Sequence, residues 1–312
     1  MVDPQIIGPN RTGKSKSPEE RRSDSKVQIP RTKDVRIVET FDAVPVLNKR
    51  EPIITKDNSS FKFLRLARIV LDPTKEGYAP QEIKTSNEEL ILYVNRGSAT
   101  VSIDGESKKL DIGDVAYIGI NKTAEVSSNE FTDVSEFRAI DCNTAYPVQY
   151  IKHKELEKTE LAATVGSKRP MSVRTVFKLV DGSNVEACRL LFGDTFMKQP
   201  GAVGSYPPHF HGPDGPSGFG DDAKEEIYHF RVQSTIPDDT GYVLQNCSRP
   251  GEDVGIYTHV FDEEALNVTH GYHDTIAPPA IEFMFTWCLA SFTEGRRDWS
   301  EVLNRPGYDN EW

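Results

Sequence analysis

Between residues 88 and 120 the chain reads EELILYVNRGSATVSIDGESKKLDIGDVAYIGI. Short runs rich in Val, Ile, Leu and Tyr alternate with polar residues, and each run ends at a Gly or Asp turn. This pattern constrains the fold most. Asp104-Gly105 between two alternating runs is a strong hairpin signal, because that pair tolerates the positive φ values a tight turn requires. Gly113-Asp114 marks a second turn before VAYIGI. Strands of this length, joined by such turns, make a β-sandwich or barrel. Upstream, VRIVETF (35–41) and FKFLRLARIVL (61–71) also read as strands. TAYPVQYIKHKELEKTELAATVGSKRP (144–170) is a charged connector, with a short helix expected around 153–163. A second strand series follows: SVRTVFKLV, VEACRLLFGDTF, EEIYHFRV, GYVLQNCS, GIYTHVF, ALNVTHGYHDTIA and IEFMFTWCLASF. Few stretches carry a helical period. The expectation is an all-β chain with β-rich halves at 56–150 and 168–295, a linker at 151–167 and a tail at 296–312.

A length of 312 residues accommodates two domains of the usual size. A charged fraction of 27% and a net charge of −11 point to a soluble protein and argue against general nucleic-acid binding. No apolar run approaches the roughly 20 residues of a membrane span. The N-terminus lacks a signal-peptide core, and Arg21-Arg22 sits in polar surroundings unlike an export signal. Cys142, Cys188, Cys247 and Cys288 are widely spaced and read as reduced thiols of a cytoplasmic protein. Residues 1–55 are expected to form a partly disordered N-terminal arm, the alternative being an arm that docks on its own core or on a partner subunit.

The chemistry concentrates in SYPPHFH (205–211) and EEIYHFRV (225–232). Residues i and i+2 of a strand share a face, so His209 and His211 present two imidazoles side by side. In the next strand Glu226, Tyr228 and Phe230 share one face, and Glu225, Ile227 and His229 the other. The face carrying Tyr and Phe is read as the inner one, which puts Glu226 inside. NVTHGYHDTIAPP then offers His270 and His273, either of which a turn could aim inward. Three imidazoles and a carboxylate suit Zn, Mn, Fe or Ni.

These phrases, with the tail GRRDWSEVLNRPGYDNEW, resemble the cupin superfamily, and within it the uronate isomerases that include 5-deoxy-glucuronate isomerase and 4-deoxy-L-threo-5-hexosulose-uronate ketol-isomerase. The resemblance spans most of 60–312. Tyr228-His229-Phe230-Arg231 stands where that family often has Tyr-Tyr-His-Arg, and His273-Asp274 where it has His-Pro. It implies two tandem cupin (jelly-roll) domains. The N-terminal one, with no histidine between residues 1 and 152, would be metal-free and structural. It places the metal ligands at His209, His211, Glu226 and His273, holding one divalent ion, Zn or Mn first and Fe or Ni next.

The implied activity is aldose–ketose isomerisation of a uronate or related acidic sugar through a metal-stabilised enediolate. Glu225, Tyr228 and His270 are candidate bases. Arg231, and Arg296 or Arg297, are candidates to meet the substrate carboxylate, with an ion pair as the alternative for Arg231. His229 is expected to face away in a structural role, and His153 and His259 to lie on the surface. Phe283, Phe285 and Trp287 are assigned to the core, and Trp299 and Trp312 to packing of the tail. No nucleic-acid or membrane partner is expected, and self-association is compatible with the strand edges. The rival activities are a metal-dependent cupin dioxygenase and a non-catalytic sugar-binding cupin.

Overall fold

The structure, a computed structural model, describes residues 38–212, 223–248, 255–268, 271–299 and 302–308. Among these the chain is nearly all β and forms four antiparallel sheets of seven, six, five and four strands. The Asp104-Gly105 hairpin shows how the turns work. Ala99–Ile103 pairs with Glu106–Leu110, and Ile103 stands opposite Glu106. Both turn residues have positive φ, 52° and 83°, as a two-residue hairpin with right-handed strand twist demands.

The sheets group by sequence. Strands between Lys49 and Ile151 make the six- and four-stranded sheets. Strands from Ala162 onward, joined by Val38–Asp42, make the seven- and five-stranded sheets. The three larger apolar cores of the described residues lie between successive layers. Val101, Ile103 and Val126 pack against Leu90, Leu92 and Val134 within the first pair. Tyr228, Phe230, Phe283, Phe285 and Trp287 pack against Val243, Cys247 and Val260 within the second. Between the pairs, Tyr93 and Phe137 of the six-stranded sheet meet Phe192 of the seven-stranded one, with ring centroids 5.3 and 5.1 Å apart. Truncating a buried ring such as Phe192 to Ala costs about 3–5 kcal/mol.

Three expected boundaries shift. The expected arm at 1–55 is partly built into the sheets: Val38–Asp42 pairs with Glu264–Val268, and Lys49–Ile54 with Leu64–Leu71. Residues 1–37 lie outside the described residues. The expected linker at 151–167 ends in Ala162–Val165, an edge strand of the seven-stranded sheet. The expected helix contracts to His153–Leu156, whose first N–H donates to Asp114 at 3.0 Å. The charged residues that follow offer no apolar stripe to prolong it. All four cysteines are buried free thiols. Trp299 packs edge-on against Trp287 at 5.5 Å and donates to Asp181 at 2.7 Å, docking the start of the tail; Trp312 lies outside the described residues. Among the described residues no helix is long and apolar enough to cross a membrane.

Candidate metal centre

Three strands of the second sheet pair bring the histidines together. Val203–Phe210 carries His209, with His211 just past its end; Tyr272–Ile276 carries His273; Lys224–Ser234 carries Glu226. His209 stands opposite His273 in the antiparallel ladder. The Lys224 N–H donates to the His211 carbonyl at 2.9 Å, which ties the end of the first strand to the start of the third. One ring nitrogen from each histidine lies within 4.8 Å of the others. Ring centroids are 4.5 Å apart for His209–His273, 5.2 Å for His211–His273 and 5.9 Å for His209–His211.

Backbone carbonyls set the tautomers. Nδ1 of His209 is 2.9 Å from the Pro207 carbonyl, that of His211 3.2 Å from Lys224, and that of His273 3.3 Å from Gly271. A carbonyl only accepts, so each Nδ1 carries a proton, and Nε2 is the ring nitrogen a metal ion would use. Glu226 Oε2 is 2.7 Å from Nε2 of His211 and 3.2 Å from Nε2 of His273. A carboxylate and ring nitrogens gathered this closely need a proton or a metal ion between them. The donor set fits a divalent transition ion, with the Nδ1–carbonyl contacts orienting the ligating rings.

The electrostatics agree. Burial, reinforced by His273 and His211, pulls His209 down to about 3, so the ring is neutral and able to ligate at pH 7. Burial alone would raise Glu226, but His211 and His273 outweigh it and hold the carboxyl well below the usual carboxylate range. Tyr228 shares the Glu226 face of the strand. Its hydroxyl accepts a bond from Ser205 Oγ at 3.0 Å and lies 3.1 Å from Nε2 of His273. Burial, then the Glu226 charge, pushes its phenol well above the usual value. Ser205 is a site residue that sequence reasoning missed; its signal was its place in SYPPHFH, four residues before His209.

The opposite face of the Glu226 strand is gripped by the first sheet pair. Glu225 accepts the backbone N–H groups of Lys62, Phe63 and Leu64 at 2.5, 2.8 and 2.9 Å. His229 Nε2 accepts from Arg68 at 2.9 Å, and burial together with Arg68 and Arg231 pulls its pKa well below the usual value. Arg231 donates to Asp133 at 2.8 Å and pairs with Glu263, while Arg68 bridges the same two carboxylates. The strand that presents Glu226 and Tyr228 is thus held along its back.

This grip corrects several expectations. Glu225 is turned away from the histidines and its carboxylate is filled by three backbone donors, so it is no base for this centre. Arg231 is held by Asp133 and Glu263 and is not available to a substrate. Arg297 is buried, donating to the Leu190 and Val185 carbonyls at 2.7 and 2.6 Å, and Arg296 is exposed. His270 lies outside the described residues. His153, expected on the surface, is buried: its ring lies 4.1 Å from that of Phe177, and Nε2 approaches Asp194 at 3.2 Å. His259 is exposed. Glu89, Cys142 and Cys188 also converge, but the Glu89 carboxylate already accepts four bonds, from Tyr117 and the N–H groups of Cys188, Arg189 and Leu190. That group is structural.

Comparison with known proteins agrees with this architecture. The KduI/IolB family profile matches residues 49–307. The 4-deoxy-L-threo-5-hexosulose-uronate ketol-isomerase of Formosa agariphila is 27% identical over 144 residues, covering 45% of this chain and 48% of the relative. That of Lachnoclostridium phytofermentans is 32% identical over 119 residues, covering 37% and 41%. The chain thus spans less than half the length of these two relatives. The 4-deoxy-L-threo-5-hexosulose-uronate ketol-isomerase 2 of Rhizobium meliloti is 25% identical over 206 residues, 65% of each chain. Among solved structures, an IolB-like protein of Salmonella typhimurium superposes with a TM-score of 0.68 at 17% identity, covering 87% of this chain and 97% of that one. The oxalate decarboxylase of Lactobacillus farciminis gives 0.56 at 10% identity, covering 83% and 87%. The latter two share this chain's fold. With a family match from residue 49 to residue 307, this chain belongs to the KduI/IolB family.

Proposed function

We propose that the protein is a metal-dependent ketol-isomerase of uronate sugars, with 4-deoxy-L-threo-5-hexosulose uronate, the compound in its relatives' names, as the first substrate to test. The observation that carries this reading is the convergence of His209, His211 and His273, the last two against the Glu226 carboxylate. A divalent ion held by these four residues, Zn or Mn first, would polarise the adjacent carbonyl and hydroxyl oxygens of the sugar. The protein's own groups do the rest. Neutral His209 and ionised Glu226 keep the set ready to bind at pH 7. Tyr228 stays a phenol; Ser205 donates to its oxygen, so its own proton points toward Glu226 and His273, from where it would be given to a substrate oxygen bound beside them.

The chain would work as two tandem cupin domains, the histidine-poor first one bracing the strand that carries Glu226. Four buried free thiols fit a reducing compartment such as the cytoplasm. The test is conversion of the hexosulose uronate by the purified, metal-loaded chain, followed by the change in its carbonyl absorbance or by NMR. Turnover that a chelator abolishes and Zn or Mn restores supports the reading. No isomerisation by a chain holding one ion would contradict it.

A further inference from the structure

A uronate carries a carboxylate, and the arginines expected to meet it are engaged elsewhere or exposed. Arg174 is placed differently. It opens the strand Arg174–Val180 of the seven-stranded sheet. Phe177 and Leu179 of that strand face the core between the sheet pairs, while Val176 packs on the core of the metal-bearing pair. By alternation Arg174 points to the Val176 side. It is only 4% exposed. Its guanidinium reaches across to the strand that carries His209, where Nη2 donates to the Tyr206 carbonyl at 2.6 Å; Nη1 donates to Ser172 at 2.9 Å. Tyr206 follows Ser205, whose hydroxyl donates to Tyr228, which in turn touches His273. The cation therefore holds the strand that carries His209, on the side linked through Ser205 and Tyr228 to His273.

Among the described residues no carboxylate pairs with Arg174. Two of its five N–H groups are used on carbonyls, and three remain. A guanidinium buried without a counter-ion is costly. Burial pulls its pKa down to about 10, with Tyr228 opposing the shift.

We propose that Arg174 is the carboxylate anchor of this site, pairing with the acid group of a sugar whose carbonyl end faces His209, His211, Glu226 and His273. This rests on the ketol-isomerase reading. A guanidinium fork matches a carboxylate in two parallel bonds, which a point charge does less well.

The test compares wild type, R174M and R174K for metal content, thermal stability, kcat and KM. The substrates are 4-deoxy-L-threo-5-hexosulose uronate and its neutral counterpart with the acid reduced to an alcohol. The anchor predicts one ion per chain in all three, kcat changed only a few-fold, and KM for the acid raised on the order of 100-fold in R174M. R174K should recover part of this, and KM for the neutral sugar should be alike in R174M and wild type. If R174M fails to fold, R174Q, which keeps donors but loses the charge, replaces it. Loss of metal, or a fall in kcat at unchanged KM, would make Arg174 a staple for the Tyr206 segment and overturn the anchor. An active wild type matched by R174M in KM for the acid would overturn the anchor alone. A wild type that binds no metal and turns over no uronate would overturn the ketol-isomerase reading, and the anchor with it.

Discussion

Nε2 of His211 lies 2.7 Å from Oε2 of Glu226, while Glu225, one residue earlier, spends its carboxylate on the backbone of residues 62–64. Two adjacent glutamates therefore have separable roles. Glu226→Ala should abolish metal retention with the fold intact. Glu225→Ala should keep about one ion per chain but lower unfolding free energy by roughly 3 kcal/mol, because backbone donors lose a charged acceptor. Metal analysis and urea denaturation of the two variants check this; the opposite assignment would show the opposite pattern.

Tyr228→Phe removes one hydroxyl from the neighbourhood of His273. Metal content and stability should hold, and kcat should fall about 100-fold, the lower range for a positioned proton donor. Steady-state kinetics with the hexosulose uronate decides it. An unchanged kcat would reduce Tyr228 to packing.

Arg231→Ala leaves Asp133 and Glu263 with one cation fewer in a buried network. Removing one partner of such a group costs about 3–5 kcal/mol. Because the network joins the two sheet pairs, calorimetry should show a large drop in melting temperature. A shift of a degree or less would mean that the network contributes little.

Two buried histidines should give the stability–pH curve opposite slopes. His229 is held well below its ordinary 6.5 by burial and by Arg68 and Arg231, despite Glu263. Below pH 6.5 the unfolded chain takes up a proton that the folded one refuses, so stability falls with acid. His153 is raised above 6.5: burial alone would lower it, but Asp194 outweighs burial, with Glu157 and Asp114 adding to the effect. Its contribution is present below pH 6.5 and is lost as pH rises through the folded value. Denaturation at several pH values should show His229→Asn flattening the acid side of the curve and His153→Asn the alkaline side. Like effects from both variants would contradict these environments.

The sequence makes local relationships visible and distant ones invisible. Alternation in EEIYHF separates Glu226 and Tyr228 from Glu225 and His229, because strand geometry alone decides which residues share a face. Asp104-Gly105 announces its hairpin for the same reason. Glu225 could still pass for a base, because the N–H groups it accepts lie 161 to 163 residues earlier in the chain. Arg231 misleads in the same way, since Asp133 is 98 residues away. His153 reads as a surface residue in a charged connector until Phe177 and Asp194 close over it. Arg174 carries no motif; only packing of the sheets shows a guanidinium buried without a carboxylate.

The central claim is that His209, His211, Glu226 and His273 hold one divalent ion. The most direct test is metal content by mass spectrometry of the purified full chain and of His211→Ala. The account predicts about one Zn or Mn per chain in the wild type and a loss in affinity exceeding the ~10–100-fold that removal of an outer contact causes. A wild type that takes up no divalent ion, or a variant that holds it equally well, would contradict it.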